Sequence, residues 1–191
     1  MIKILRKSIS AGFLIGLSGY ISLMCDNKYI SAMLFCVGLY TICFYNLNLY
    51  TGMTGYLWNN KRKRYISTLC LTLIGNIIGC VIISICPLPQ NIYVELQGMI
   101  TQKTIGSAIF ESFLCGSLMF IAVDMYKTNK NPTGIFLAVP AFILSGMEHS
   151  IANTYYLLAS KEWDFIPYIL ICIIGNTMGA IFTNILIKGK Q

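Results

Sequence analysis

Charge is scarce in this chain. Only 11% of its 191 residues are Asp, Glu, Lys or Arg while 56% are hydrophobic, against about 25% charged residues in a soluble domain. That shortage, with a mean hydropathy of +0.68, excludes an ordinary soluble domain and places the chain in a lipid bilayer. Histidine occurs once, at His149, so neither an H-E-x-x-H zinc motif nor a multi-histidine metal site is available, and no metal or cofactor is expected. The eight cysteines (25, 36, 43, 70, 80, 86, 115 and 172) include no C-x-x-C pair. Such spacing argues against a zinc or disulfide framework and for cysteine as a small buried hydrophobe. No small-residue cleavage site follows the first apolar run, so the opening segment is expected to be a span rather than a removed signal.

What the chain does have is apolar segments. A spanning helix takes roughly 20 apolar residues, and six candidates stand at about 8–25, 29–58, 66–88, 104–126, 132–160 and 164–187. The second and fifth are too long for one straight crossing, and each carries a polar, glycine-bearing interruption. The fourteen basic residues give the orientation. Lys3, Arg6, Lys7, the run Lys61 to Arg64, Lys127, Lys130, Lys188 and Lys190 fall on one side, leaving Lys28, Lys103 and Lys161 for the other. The positive-inside rule then puts both termini in the cytoplasm of a multi-pass protein of the cell (inner or plasma) membrane. The same rule accounts for the basic run at 61–64, so no nucleic-acid partner is expected.

A repeat organises these spans. Gly75, Asn76 and Gly79 in "LIGNIIGCVI" recur as Gly175, Asn176 and Gly179 in "IIGNTMGAIF", offset by 100 residues. Small residues four apart let a second helix approach closely, and the two asparagines fit as interhelical hydrogen-bond glue. "AGFLIGLSGY" and "SFLCGSLMFI" echo each other more weakly. Three spans per half is an odd number, which requires the halves to lie in opposite orientation, an inverted three-plus-three repeat. The expectation is therefore one all-α integral membrane domain over 1–191, with six transmembrane helices in halves of about 1–90 and 91–191.

The long second and fifth spans become counterparts. "FYNLNLYTGMTGY" sets Asn46, Asn48, Thr51 and Gly52 at membrane depth, and "ILSGMEHSIANTYY" does so with Glu148, His149, Ser150 and Asn153. Backbone leaves a helix inside a bilayer only where it is buried in protein or lines a watery cavity. Paired interruptions of this kind point to a transport site, and the helix N-termini they create favour anions. An ionisable residue at the bilayer centre costs at least about 2.5 kcal/mol, which makes His149 functional by default. Its ordinary pKa near 6.5 suits a hydrogen bond or a proton passed to a weak-acid anion.

These residues resemble the formate/nitrite transporter family of small-anion channels. The resemblance rests on "NLYTG" (48–52), "SGMEHSIAN" (145–153) and "LCGSLMFIAVDMY" (114–126), with "AGFLIGLSG" and the paired Gly-Asn motifs in support, and covers nearly the whole chain. It implies an aquaporin-like protomer with broken second and fifth helices, a pore in each protomer and a homopentamer. It implies passage of a small monovalent anion such as formate, nitrite or hydrosulfide, with protons as a further partner. His149 is then the central pore histidine, Thr51 its loop partner, and Glu148 and Asn153 its polar support. Phe142 and Phe35 resemble an outer constriction; Leu39, Leu49 and Tyr50 resemble an inner one. Lys103 resembles a lysine that draws anions into the outer vestibule. The chain departs from the family where Cys115-Gly116 stands in place of Cys-Asn.

Other classes fit less well. An intramembrane hydrolase finds no Ser-His dyad, because Ser145 and His149 are close neighbours on one segment; the protein is not expected to be an enzyme. An aquaporin-like channel for neutral solutes shares the six-helix inverted plan, but neither half contains Asn-Pro-Ala. A membrane scaffold without transport is the remaining alternative.

Overall fold

The computed structural model describes residues 1–60 and 62–189, with nothing of the Arg62 side chain; Lys61 and Lys190, used above for orientation, lie outside the described residues. All regular structure among them is helical. The order is α1 (Ile2–Leu23), α2 (Lys28–Phe44), α3 (Tyr50–Met53) continued by a 3-10 turn (Thr54–Leu57), α4 (Arg62–Ser84), α5 (Gln90–Thr101), α6 (Ile105–Asn129), α7 (Thr133–Leu144), α8 (Ser150–Ser160), a 3-10 turn (Trp163–Phe165) and α9 (Ile166–Lys188).

Local chemistry sets several of these boundaries. Asn27 starts α2 by accepting from the Tyr29 and Ile30 amides at 3.0 and 3.1 Å, the N-cap arrangement that relieves otherwise orphaned donors. Lys130 and Lys161 end α6 and α8 with left-handed φ of 55° and 61°. Residues 63–84, 105–129 and 163–188 form helices long and apolar enough to cross a membrane, while α2 and α7 are shorter apolar helices. Exposed on α4 are Ile74, Ile78, Val81 and Ile82, and on α9 Leu170, Ile174, Met178 and Phe182. Contiguous apolar surface of this extent is uncommon on soluble monomers and matches a lipid or subunit environment.

Two close crossings build the centre. α1 packs on α4, and α6 on α9. At Gly12 a Cβ would strike the backbone of Asn76, and at Gly116 it would strike the backbone of Asn176 in the same three atoms. Gly79 and Gly179 press in turn on the backbones of α1 and α6. Only glycine allows helices this near, so the small-residue pattern read from the sequence acts here as steric fit. Gly116 therefore holds a helix crossing and lines neither cavity described below.

Three expectations need correction. α1 begins at Ile2 rather than near residue 8. The segment between the third and fourth spans carries a helix of its own, α5, which at 12 residues is too short to cross. Five cysteines are buried, but Cys70 and Cys86 are exposed and Cys25 is intermediate; Cys70 lies on an outward position of α4 and Cys86 follows its end.

Candidate functional site: two facing turns between cavities

The stretches read as long second and fifth spans each hold two helices with a turn between them. Past Phe44 the chain passes through Asn46 with φ 51°, and past Leu144 through Gly146 with φ 68°. The amides that follow bond alike: Leu47 to the Ile42 carbonyl and Met147 to the Phe142 carbonyl, both at 2.9 Å. With Asn46 to Cys43 at 3.2 Å and Gly146 to Ile143 at 3.1 Å, these are the paired bonds of a Schellman stop, which needs a residue tolerant of left-handed backbone. Glycine and asparagine supply it.

New helices start where the turns end. Leu49 and His149 are the extended N-cap residues of α3 and α8. Asn76 and Asn176 secure the two starts in the same manner. Asn76 Oδ1 accepts from the Tyr50 amide at 2.8 Å, and its Nδ2 donates to the carbonyls of Ser8 at 2.7 Å and Asn48 at 3.0 Å. Asn176 Oδ1 accepts from the Ser150 amide at 2.8 Å, and its Nδ2 donates to the carbonyls of Ser112 at 2.7 Å and Glu148 at 2.8 Å. Both side chains are fully buried. They do join helices, as the sequence suggested, but their main contact is with the turn backbone. The sequence signal was available, since each stands 26 residues beyond the amide that it holds.

His149 is 1% exposed. Its Nδ1 accepts from the Ala152 amide at 3.1 Å, so Nδ1 carries no proton and the neutral ring has its N–H at Nε2. That Nε2 stands 2.9 Å from Thr51 Oγ1, and with the N–H on nitrogen the imidazole donates and the hydroxyl accepts. The Thr51 proton is then available to another acceptor. Phe142 stacks on the imidazole, with centroids 5.6 Å apart and planes at 23°, and meets Phe35 edge-on at 5.9 Å. Thus the single histidine meets Thr51 through Nε2 and Phe142 through its ring face, and Phe142 in turn meets Phe35.

Glu148 is 2% exposed yet does not aim at His149. One carboxylate oxygen takes the Lys103 ammonium and the other the Asn153 amide. Lys103 is half-buried at the end of α5, and Asn153 lies one turn into α8. A buried carboxylate needs such partners, and here the lysine expected in a vestibule supplies one.

Two cavities flank these groups. The larger, about 480 Å³, has Phe35, Phe142, Lys103, Glu148, His149 and Asn153 among its lining residues. The smaller, about 30 Å³, is lined by Leu49, Gly52, Cys43, Asn46, Val123 and Lys127. Thr51, Leu39 and Tyr50 line neither. Leu39 and Thr51 are both 1% exposed, and Tyr50 turns its hydroxyl to Thr177 Oγ1 at 3.0 Å. Sequence reading used Lys127 only for orientation; its ammonium stands 4.2 Å from the Tyr56 ring centroid. Tyr56 itself donates to Asp124 at 2.8 Å, and Lys188 donates to the same oxygen at 2.6 Å. That cluster fastens the 3-10 turn after α3 to α6 and α9.

The family model of formate/nitrite transporters matches residues 1–189. The chain belongs to the formate/nitrite transporter family. Among solved structures it is similar to an FNT family ion channel, with TM-score 0.80 and 21% identity over 98% of this chain and 88% of that one. It is also similar to a pentameric formate channel with formate bound, with TM-score 0.77 and 18% identity over 98% of this chain and 94% of that one. No curated protein matches. At these identities the structural likeness speaks for the fold, so the formate/nitrite transporter fold extends over nearly all of the chain.

Proposed function

We propose that this protein is a channel for small monovalent anions of weak acids, formate foremost, with one pore through each protomer. The observation that carries the proposal is the arrangement of His149 and Thr51 between two cavities, with Phe35 and Phe142 on one side and Leu49 on the other. On this reading the Phe35–Phe142 pair is the outer constriction, and Leu39, Leu49 and Tyr50 form the inner one. His149 donates through Nε2, directly or by way of Thr51, to an anion stripped of water. Desolvation favours the neutral form of a weak acid, so protons are the second partner. Glu148 and Asn153 support the turn, and Lys103, paired with Glu148, stands in the wall of the larger cavity.

The matched pairs Gly12–Asn76 and Gly116–Asn176, with the matched turns at 46 and 146, support an inverted repeat of three spans each with broken second and fifth spans. Membership in the family, and likeness to a pentameric formate channel, support a homopentamer in the cell membrane. The single-domain reading with halves of about 1–90 and 91–191 and cytoplasmic termini goes with that plan. A neutral-solute channel is not favoured, because the matching family is that of formate/nitrite transporters.

Proteoliposomes test the proposal. Formate is expected to enter far faster than glycerol, and a protein that admits glycerol but not formate would refute it. Truncating Phe142 to alanine removes one wall of the constriction and a ring stacked on His149. The expected result is a several-fold gain of acetate over formate in relative flux, measured on the same vesicles; an unchanged ratio would remove Phe142 from the constriction.

A further inference from the structure

The two halves differ at the position that follows the paired asparagines. Ile77 follows Asn76 in α4 and is exposed, whereas Thr177 follows Asn176 in α9 and is half-buried. The Thr177 hydroxyl has two partners. It spends its single proton on the Ile173 carbonyl at 2.7 Å, an ordinary bond to the preceding turn of its own helix. Its oxygen remains an acceptor, so in the 3.0 Å contact between the two hydroxyls Tyr50 donates and Thr177 accepts.

Tyr50 is therefore gripped at both ends, once from each half. Asn76 of α4 takes its amide at 2.8 Å, and Thr177 of α9 takes its hydroxyl. Its counterpart 100 residues on, Ser150, has its amide held by Asn176, but the Ser150 hydroxyl has no hydrogen-bond partner. Tyr50 opens α3, which has four residues, a single turn with too few hydrogen bonds to keep its own shape. The far end of that turn is tied by the Tyr65 hydroxyl, which donates to the Met53 carbonyl at 2.9 Å. The near end depends on Tyr50. Beside it in sequence stand Leu49, in the wall of the smaller cavity, and Thr51, whose hydroxyl lies 2.9 Å from His149 Nε2. A displaced Tyr50 ring carries both neighbours with it.

We propose that Thr177 is a positioning residue for the anion path. By accepting from Tyr50 it fixes α3 against α9, and so sets the opening beside Leu49 and the reach of Thr51 to His149. The effect on transport rests on the channel reading of these residues; the effect on the Thr51–His149 contact does not.

The test compares Thr177→Val, Thr177→Ser, Tyr50→Phe and the double variant Thr177→Val with Tyr50→Phe. Valine keeps the shape of threonine and a branched apolar side chain already stands at Ile77, so the variant is expected to melt within about 4 °C of wild type. In proteoliposomes Thr177→Val is expected to raise acetate flux over formate flux several-fold, and Thr177→Ser, which keeps the acceptor, to return the ratio to that of wild type. Tyr50→Phe removes the donor and should match Thr177→Val, and the double variant should be no worse than either, because both remove one bond. His149 is the only histidine, so isotope labelling of histidine ring nitrogens reports on its contact alone by nuclear magnetic resonance; the Nε2 signal should move in Thr177→Val and return in Thr177→Ser. An unmoved Nε2 signal with an unchanged flux ratio in a protein that passes formate would overturn the inference and leave the channel standing. A serine variant that behaves like valine, or single effects that multiply in the double variant, would overturn it too. A moved Nε2 signal in a protein that passes no formate would refute the channel and keep Thr177 as the residue that places Thr51.

Discussion

Replacing His149 by alanine is expected to lower formate flux into proteoliposomes by about 10- to 100-fold at neutral pH, the value of one hydrogen bond to a charged group. The imidazole has two tasks at opposite ends of one ring. Nδ1 caps α8 by accepting from Ala152, and Nε2 presents its proton at Thr51. Alanine removes both, so stability falls too, by about 1 kcal/mol for the lost cap. His149→Asn separates the tasks. Asparagine is among the best N-caps, while its amide is too short to reach Thr51 from the same backbone position. The expected result is a protein that melts near wild type and still conducts poorly.

The geometry also bears on protonation. A second proton on the imidazole must sit on Nδ1, which the Ala152 amide occupies as donor. Charging His149 therefore breaks the start of α8, and a hydrogen bond from the neutral ring is the step the arrangement favours. Flux measured from pH 5 to 8 for wild type and both variants checks this. If His149→Ala conducts like wild type with the same pH profile, His149 has no part in transport.

The sequence was most legible where one residue type has one physical use. A lone histidine after glutamate in an apolar segment marked a candidate site, and the structure brings His149 to Thr51, 98 residues away. Glycines spaced for close approach, Gly75 and Gly79 with Gly175 and Gly179, marked the faces of α4 and α9 that α1 and α6 cross, whereas Gly116 read only as a departure from the family. Less legible was whatever depends on a partner distant in sequence. The Lys103–Glu148 pair joins groups 45 residues apart through a linker whose course no periodicity encodes. Helix α5 left no span signal, because at 12 residues it is too short to cross. The hold of Tyr56 and Lys188 on Asp124 was equally hidden, as charges near span ends read first as topology signals.

Asn176→Ala is expected to be the most destabilising single truncation at the turns. The amide group satisfies three buried backbone groups: the Ser150 N–H and the carbonyls of Ser112 and Glu148. Each unpaired group costs about 1–3 kcal/mol, and water has little access to replace the lost bonds, because Asn176 is 0% exposed. A total of roughly 3 kcal/mol or more corresponds to a fall in melting temperature of about 6–12 °C for a chain of this size. Formate flux should fall with it, since the Glu148 carbonyl and the Ser150 amide bracket His149. Asn76→Ala removes the matching bonds to Tyr50, Ser8 and Asn48 and should behave alike. Asn176→Asp is the sharper control. It keeps the acceptor for Ser150 but turns a carboxylate oxygen toward two carbonyl oxygens, so it should do no better than alanine despite its nearly equal shape. A variant Asn176→Ala that melts within about 2 °C of wild type and conducts formate normally would show that the turns are held by their own Schellman bonds, and that the repeated asparagines only join helices.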